Sequence, residues 1–185
     1  MATIAITPDQ DVVAEEIFIA AAPARVFDAI TDPNQMPQWW GRQGIYRVTE
    51  WKADVRPGGR WSSAGVRADG STFTIEGEYI EVDPPHRLVH TWISSWTGPR
   101  ESVVRWELEP QVVHGLHPTG PRKAGTGTRV KISQQGFISA PTSIASHAEG
   151  WKRVLGWLHD YLEQGDTVET PNENIRAQFP IQTTN

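Results

Sequence analysis

The sequence contains no cysteine, which excludes disulfides, thiolate metal ligands and a cysteine nucleophile together. It has no run approaching the roughly 18 apolar residues of a membrane-spanning helix. No block of Lys and Arg stands out among 17 basic and 22 acidic residues, net −5. With nothing to neutralise a phosphate backbone, nucleic-acid binding is not expected. The opening MATIAITPDQD lacks the basic and apolar regions of a secretion signal, so a cytoplasmic location is expected. Signatures of chemistry are missing as well. Ser62 and Ser63, in RWSSAG, lack the leading glycine of a nucleophile elbow. His86 and His90, read as lying four apart on one strand, would stand about 13 Å from each other. His114 and His117 fall in an irregular stretch, and neither pair has the helical HExxH spacing. No metal and no organic cofactor are expected.

Against these absences stand nine tryptophans, at 39, 40, 51, 61, 92, 96, 106, 151 and 157. Indoles are large and carry a single N–H donor, so they suit cores and cavity walls. Apolar residues at 38% with 21% charged residues in a chain of 185 fit one folded domain.

The spacing predicts a long helix over 143–163, SIASHAEGWKRVLGWLHDYLE. Ile144, Ala148, Trp151, Val154, Leu155, Leu158, Tyr161 and Leu162 recur at three- and four-residue steps and form one wide apolar stripe. Ser139 or Thr142, around Pro141, supplies a start signal and Gly165 a stop. Most of what precedes it reads as strand, beginning with 12–20. Two short helices are expected next: one with Pro23 near its first position, and one through DPNQMPQWW with Asp32 as N-cap and Pro33 first in the helix. Strands follow over 46–53, 60–66, 71–82, 87–96, 101–109 and 126–134, separated by turns at Gly58-Gly59, Asp69-Gly70, Pro84-Pro85 and Gly98-Pro99. Residues 111–125 read as an irregular extended loop. The order implies an α+β domain over 11–165, a curved antiparallel sheet wrapped on the last helix. Residues 1–10 are expected to be loosely ordered, and 166–185 to form a flexible or docked tail.

Five stretches carry a family resemblance: PARVFDAITDPNQMPQWWG, VRPGGRW, EGEYIEVDPPHRLVHTW, GTRVKI and HAEGWKRVLGWLHDYL. Together they resemble the START-like (SRPBCC, birch-pollen-allergen-like) helix-grip superfamily. They are most similar to its branch named after the activator of the heat-shock protein 90 ATPase. The resemblance implies a seven-stranded antiparallel sheet gripping the C-terminal helix, with a cavity between them. It covers lipid carriers, hormone receptors, polyketide cyclases and a co-chaperone, so fold alone does not choose an activity. In HAEGW, Gly150 reads as a place where the sheet could approach the helix closely.

The expected function is binding of a small hydrophobic molecule, aromatic, polyketide-like or lipid, between sheet and helix. The expected wall takes Trp39 and Trp40 at the mouth, with Trp61, Phe73, Ile75 and Tyr79 from the first strands. His90, Trp92 and Trp106 follow from the later strands, and Trp151 and Leu155 from the helix. A cofactor-independent cyclase or dehydratase is the enzymatic alternative, with His90, Tyr79 and His147 as acid–base candidates. Glu76, Glu78 and Arg105 are open to the same role, the two glutamates reading as solvated. The third reading is a co-chaperone-like interaction module using the 96–100 turn and the 111–123 loop. Exposed tryptophans or the tail are the surfaces through which a homodimer would form.

Overall fold

The computed structural model describes residues 12–113, 116–117, 120–121, 125–136 and 141–171. The elements run β1 (Val12–Ile19), α1 (Pro23–Thr31), α2 (Met36–Trp39), β2 (Gly41–Arg42), β3 (Tyr46–Ala53), β4 (Arg60–Arg67) and β5 (Thr72–Asp83). They continue with β6 (Arg87–Ser94), β7 (Ser102–Val113), β8 (Leu116–His117), β9 (Gly120–Pro121), β10 (Gly125–Gln135) and α3 (Pro141–Gln164). Eight strands form one antiparallel sheet in the order β1-β10-β7-β6-β5-β4-β3-β2, and β8 pairs with β9 alone. The expected count of about seven is exceeded by β2, two residues long, whose glycine at φ 127 takes the chain off α2 and onto the sheet edge.

The sheet curls because strand twist accumulates and two bulges add to it, between Val48 and Glu50 and between Tyr79 and Glu81. The extra residue of the second bulge, Ile80, is 53% exposed. Along β5 burial alternates residue by residue, with Phe73, Ile75, Gly77 and Tyr79 facing inward. Room for the inward aromatics comes from glycine across the ladder. Gly77 pairs with Trp61, and a Cβ there would run into the Thr91 carbonyl and lie 2.6 Å from the Trp61 indole nitrogen.

α3 begins at Pro141 and stops before Gly165 at φ 76, as its signals predict; Ser139 lies outside the described residues. Ala148, Trp151, Val154, Leu155, Trp157 and Leu158 form its buried face. Trp157 extends the predicted stripe and meets Tyr46 edge-on at 5.3 Å between ring centroids. The helix packs most closely on β1 and reaches α2 and β2 at its other flank. Its C-terminal end is tied down where Glu163 accepts the Ala20 amide at 2.6 Å. The chain beyond it lies on β2: Val168 exchanges backbone bonds with Gln43 and Gln38 (3.0 and 2.8 Å), while buried Arg42 holds Asp160, Asp166 and the Thr167 carbonyl.

Three expectations need correction. The second helix starts at Met36, because Asp32 accepts the Asn34 amide (2.8 Å) and the Gln35 side chain (3.0 Å), holding 32–35 as a turn. Residues 111–113 and 125 are not loop, since β7 and β10 stay paired out to Val113 and Gly125. His86 sits in the β5–β6 turn rather than on a strand, its amide bonded to the Asp83 carbonyl at 2.7 Å.

Among the described residues no helix is long and apolar enough to cross a membrane, and no three metal-ligating side chains cluster.

Candidate functional site

The tryptophans expected to line one large cavity divide between two places. Most fill the interior. Trp51 and Trp61 stack at 5.0 Å and 13°, Trp61 meets His90 edge-on at 5.0 Å, and Trp106 meets Trp151 edge-on at 5.7 Å. Trp39, 1% exposed, donates its indole N–H to the Ala29 carbonyl at 2.9 Å. What this packing leaves is a void of about 10 Å³ bordered by Trp61, Tyr79, His90 and Trp106, far too small for an organic ligand. Leu155 is packed in the core at 1% exposure.

The second place is a cavity of about 540 Å³ between α3 and the β3–β6 half of the sheet. Its size falls within the range of roughly 300–1,000 Å³ typical of small-molecule sites. The sheet side supplies Tyr46, Arg67, Phe73, Ile75 and Trp92, and the β6–β7 turn supplies Trp96. The helix side supplies Ser146, His147, Gly150, Trp151, Arg153 and Val154. At 100° per residue these helix positions share one face, and Gly150 lies near its middle. A Cβ built on Gly150 meets nothing within 4 Å. The expectation that this glycine lets the sheet come close is therefore reversed: it leaves space.

Trp40 and Trp92 border both the cavity and the small void, so they form the partition between them. Trp40 touches Trp39, Trp51, Trp92 and Trp151, with centroids 5.3 to 6.2 Å apart, and is 4% exposed. It stands inside the protein rather than at a mouth. The outer rim instead carries Trp96, 49% exposed, whose ring lies edge-on to Phe73 at 5.7 Å.

A buried polar chain fixes the helix wall to the sheet. Trp151 donates to Gln134 at 2.7 Å, Gln134 to Ser102 at 2.7 Å, and Ser102 to the Trp92 carbonyl at 3.3 Å. Of the acid–base candidates only His147 borders the cavity. His90 is 6% exposed beside the small void and donates from Nδ1 to the Thr91 carbonyl at 3.0 Å. Burial pushes its imidazole down from 6.5 to about 4, the bond to Thr91 acting weakly the other way. Burial raises the phenol of Tyr79 and pushes that of Tyr46 up to about 12. Glu76, Glu78 and Arg105 are exposed. Glu15, which no site reading included, is 3% exposed with neither carboxylate oxygen hydrogen-bonded, and burial raises its pKa.

The state of His90 has a measurable consequence. Between about pH 4 and 6.5 the unfolded chain holds a proton on this imidazole that the folded chain does not. Stability should therefore fall as pH drops through that window, by about 3 kcal/mol in all. Urea denaturation at pH 7.5 and 4.5 checks this: His90→Phe should lose less stability than the parent. Equal losses would mean that the folded interior accepts the proton.

The model of the family described as "Activator of Hsp90 ATPase homolog 1-like protein" matches residues 20–116. The chain belongs to this family. The match spans α1 through β7 and so takes in the sheet wall of the cavity, while α3 lies beyond it. A Rhodobacter sphaeroides protein of solved structure is similar, with TM-score 0.68 and 21% identity over 89% of this chain and 99% of its own. The AHSA1 protein of Silicibacter pomeroyi gives 0.66 and 24% over 83% and 99%. CalU16 of Micromonospora echinospora gives 0.58 and 20% over 89% and 85%. At these identities the likeness shows a shared fold. No protein of curated function matches the sequence.

Proposed function

We propose that this chain binds a small, largely aromatic molecule in the cavity between α3 and the β3–β6 half of the sheet. The observation that carries the reading is Gly150. Glycine inside a helix costs about 1 kcal/mol relative to alanine. No close approach of the sheet explains it here, because nothing lies within 4 Å of where its side chain would begin. What its absence provides is volume, opposite a wall of Phe73, Ile75 and Trp92. A pocket mostly apolar with a few polar groups is the usual form of a small-molecule site. The buried aromatic cluster behind it keeps that wall rigid, so little ordering cost falls on binding.

The same geometry disfavours acid–base roles for His90 and Tyr79, which face the packed interior rather than the cavity. Exposed Trp96, in the 96–100 turn read with the 111–123 loop as a docking candidate, has a cavity-side role as rim.

Titration with N-phenyl-1-naphthylamine, an uncharged aromatic whose fluorescence rises on leaving water, tests the reading. Saturable one-to-one binding with a raised melting temperature is expected. A flat titration up to the probe's solubility would overturn it.

A further inference from the structure

The rim of the cavity reverses the sign of the molecule. The protein carries a net charge of −5, yet the lining includes Arg67 from β4 and Arg153 from α3 and no Asp or Glu. Five other arginines, Arg42, Arg47, Arg56, Arg87 and Arg129, each meet a carboxylate within 4.0 Å, while Arg25, Arg60, Arg100 and Arg105 meet none among the described residues. Arg67 and Arg153 make no ion pair among the described residues.

Arg67 is nonetheless held in place. Its guanidinium lies over the rings of Phe73 (5.1 Å) and Trp96 (5.5 Å), an arrangement favoured by the ring quadrupoles. Its hydrogen bonds, to Ser71 Oγ at 3.4 Å and the Thr72 carbonyl at 3.2 Å, both leave from Nη1. Among the described residues nothing bonds to Nη2 or Nε, which can form a fork onto an anion. Arg153 stands on the facing wall close enough for its charge to act on the Tyr46 phenol. Two cations on the two walls of one apolar cavity, with no carboxylate beside them in its lining, favour an anion there.

We propose that the cavity takes an aromatic anion, its ring against Phe73, Trp92 and Trp151 and its carboxylate, sulfonate or phosphate held between Arg67 and Arg153; this rests on the cavity being a binding site. The acceptor is a fixed-charge oxyanion because guanidinium donors match its planar pairs of oxygens.

Matched probes separate the two claims. 1-Anilinonaphthalene-8-sulfonate and N-phenyl-1-naphthylamine share one aromatic frame and differ by the sulfonate. The anion is expected to bind at least about tenfold more tightly, as charge-assisted bonds confer. That ratio should shrink with added salt and fall toward one in Arg67→Gln and in Arg153→Gln. Displacement of the sulfonate probe by 1-naphthoate and by 1-naphthyl phosphate, each better than by 1-naphthalenemethanol, would extend the result to the other two anions. Equal affinities for the charged and uncharged probes would overturn this inference and leave the cavity reading standing. Binding of neither would overturn both.

Discussion

Gly150→Leu is expected to weaken binding of an aromatic probe by at least about tenfold while raising the melting temperature. The two effects come from the same atom. Replacing a mid-helix glycine by leucine recovers about 0.8 kcal/mol of backbone and propensity terms. For a chain of this size that corresponds to a rise of roughly 2–3 °C. The Cβ of the new side chain starts in open space, so the gain is expected to survive. It also stands at the middle of the cavity's helix wall, where the ring of a ligand would lie. Calorimetry and a fluorescence titration on the one variant read both quantities. A fall in melting temperature would show that Gly150 serves packing. Unchanged binding would show that the ligand sits elsewhere.

The second large effect is expected at Trp151. This residue is 4% exposed, meets Trp40, Trp92 and Trp106 edge-on, and donates the bond that starts the Gln134–Ser102 chain. Truncating a buried indole to alanine typically costs about 3–5 kcal/mol. Here the Gln134 side-chain oxygen also loses its donor at a position that is itself 0% exposed, adding a further cost of about 1–3 kcal/mol. Against a total stability of roughly 5–15 kcal/mol, Trp151→Ala should be close to unfolding at room temperature. Urea denaturation compares it with Trp151→Phe, which keeps most of the apolar contact and loses the hydrogen bond. A shift below about 1 kcal/mol for the alanine variant would mean that α3 is pinned elsewhere. Loss of ligand binding in Trp151→Ala alone would say little about the cavity, which is why Gly150 is the sharper probe.

Much of the architecture was legible in the chain. The three- and four-residue recurrence from Ile144 to Leu162 marked α3, because helical geometry puts those positions on one face whatever they pack against. Strict alternation marked β5, and Asp69-Gly70 marked its hairpin, for equally local reasons. The misread pieces were those where a local signal has two solutions. Asp32-Pro33 suits a helix start and also a turn, and the carboxylate's bonds to Asn34 and Gln35 select the turn. The 111–125 stretch looked irregular because Gly, Pro and His weaken strand propensity, while the β7–β10 ladder continues into it.

The site was legible in composition and illegible in arrangement. Phe73, Ile75, Trp92 and Trp151 of the expected wall do border the cavity, as does His147. Trp39, Trp61, Tyr79, His90, Trp106 and Leu155 face the packed interior, and Trp40 belongs to both. Tyr46, Arg67, Trp96 and Arg153 were not anticipated as lining. Arg67 ends a strand and Arg153 sits on the polar edge of the helix pattern, and nothing local distinguishes them from ordinary surface arginines.

What the sequence by itself determined was the set of elements, their order and the face each one buries, since these follow from periodicity and turn chemistry within about ten residues. Only the tertiary structure decided where space remains. The volume between helix and sheet depends on how far α3 stands from strands more than forty residues away in the chain, a distance set jointly by its packing on β1, the two bulges that curl the sheet and the indoles that prop the gap. The same mid-helix glycine would admit a neighbouring backbone in a closely packed helix, and here it leaves open space.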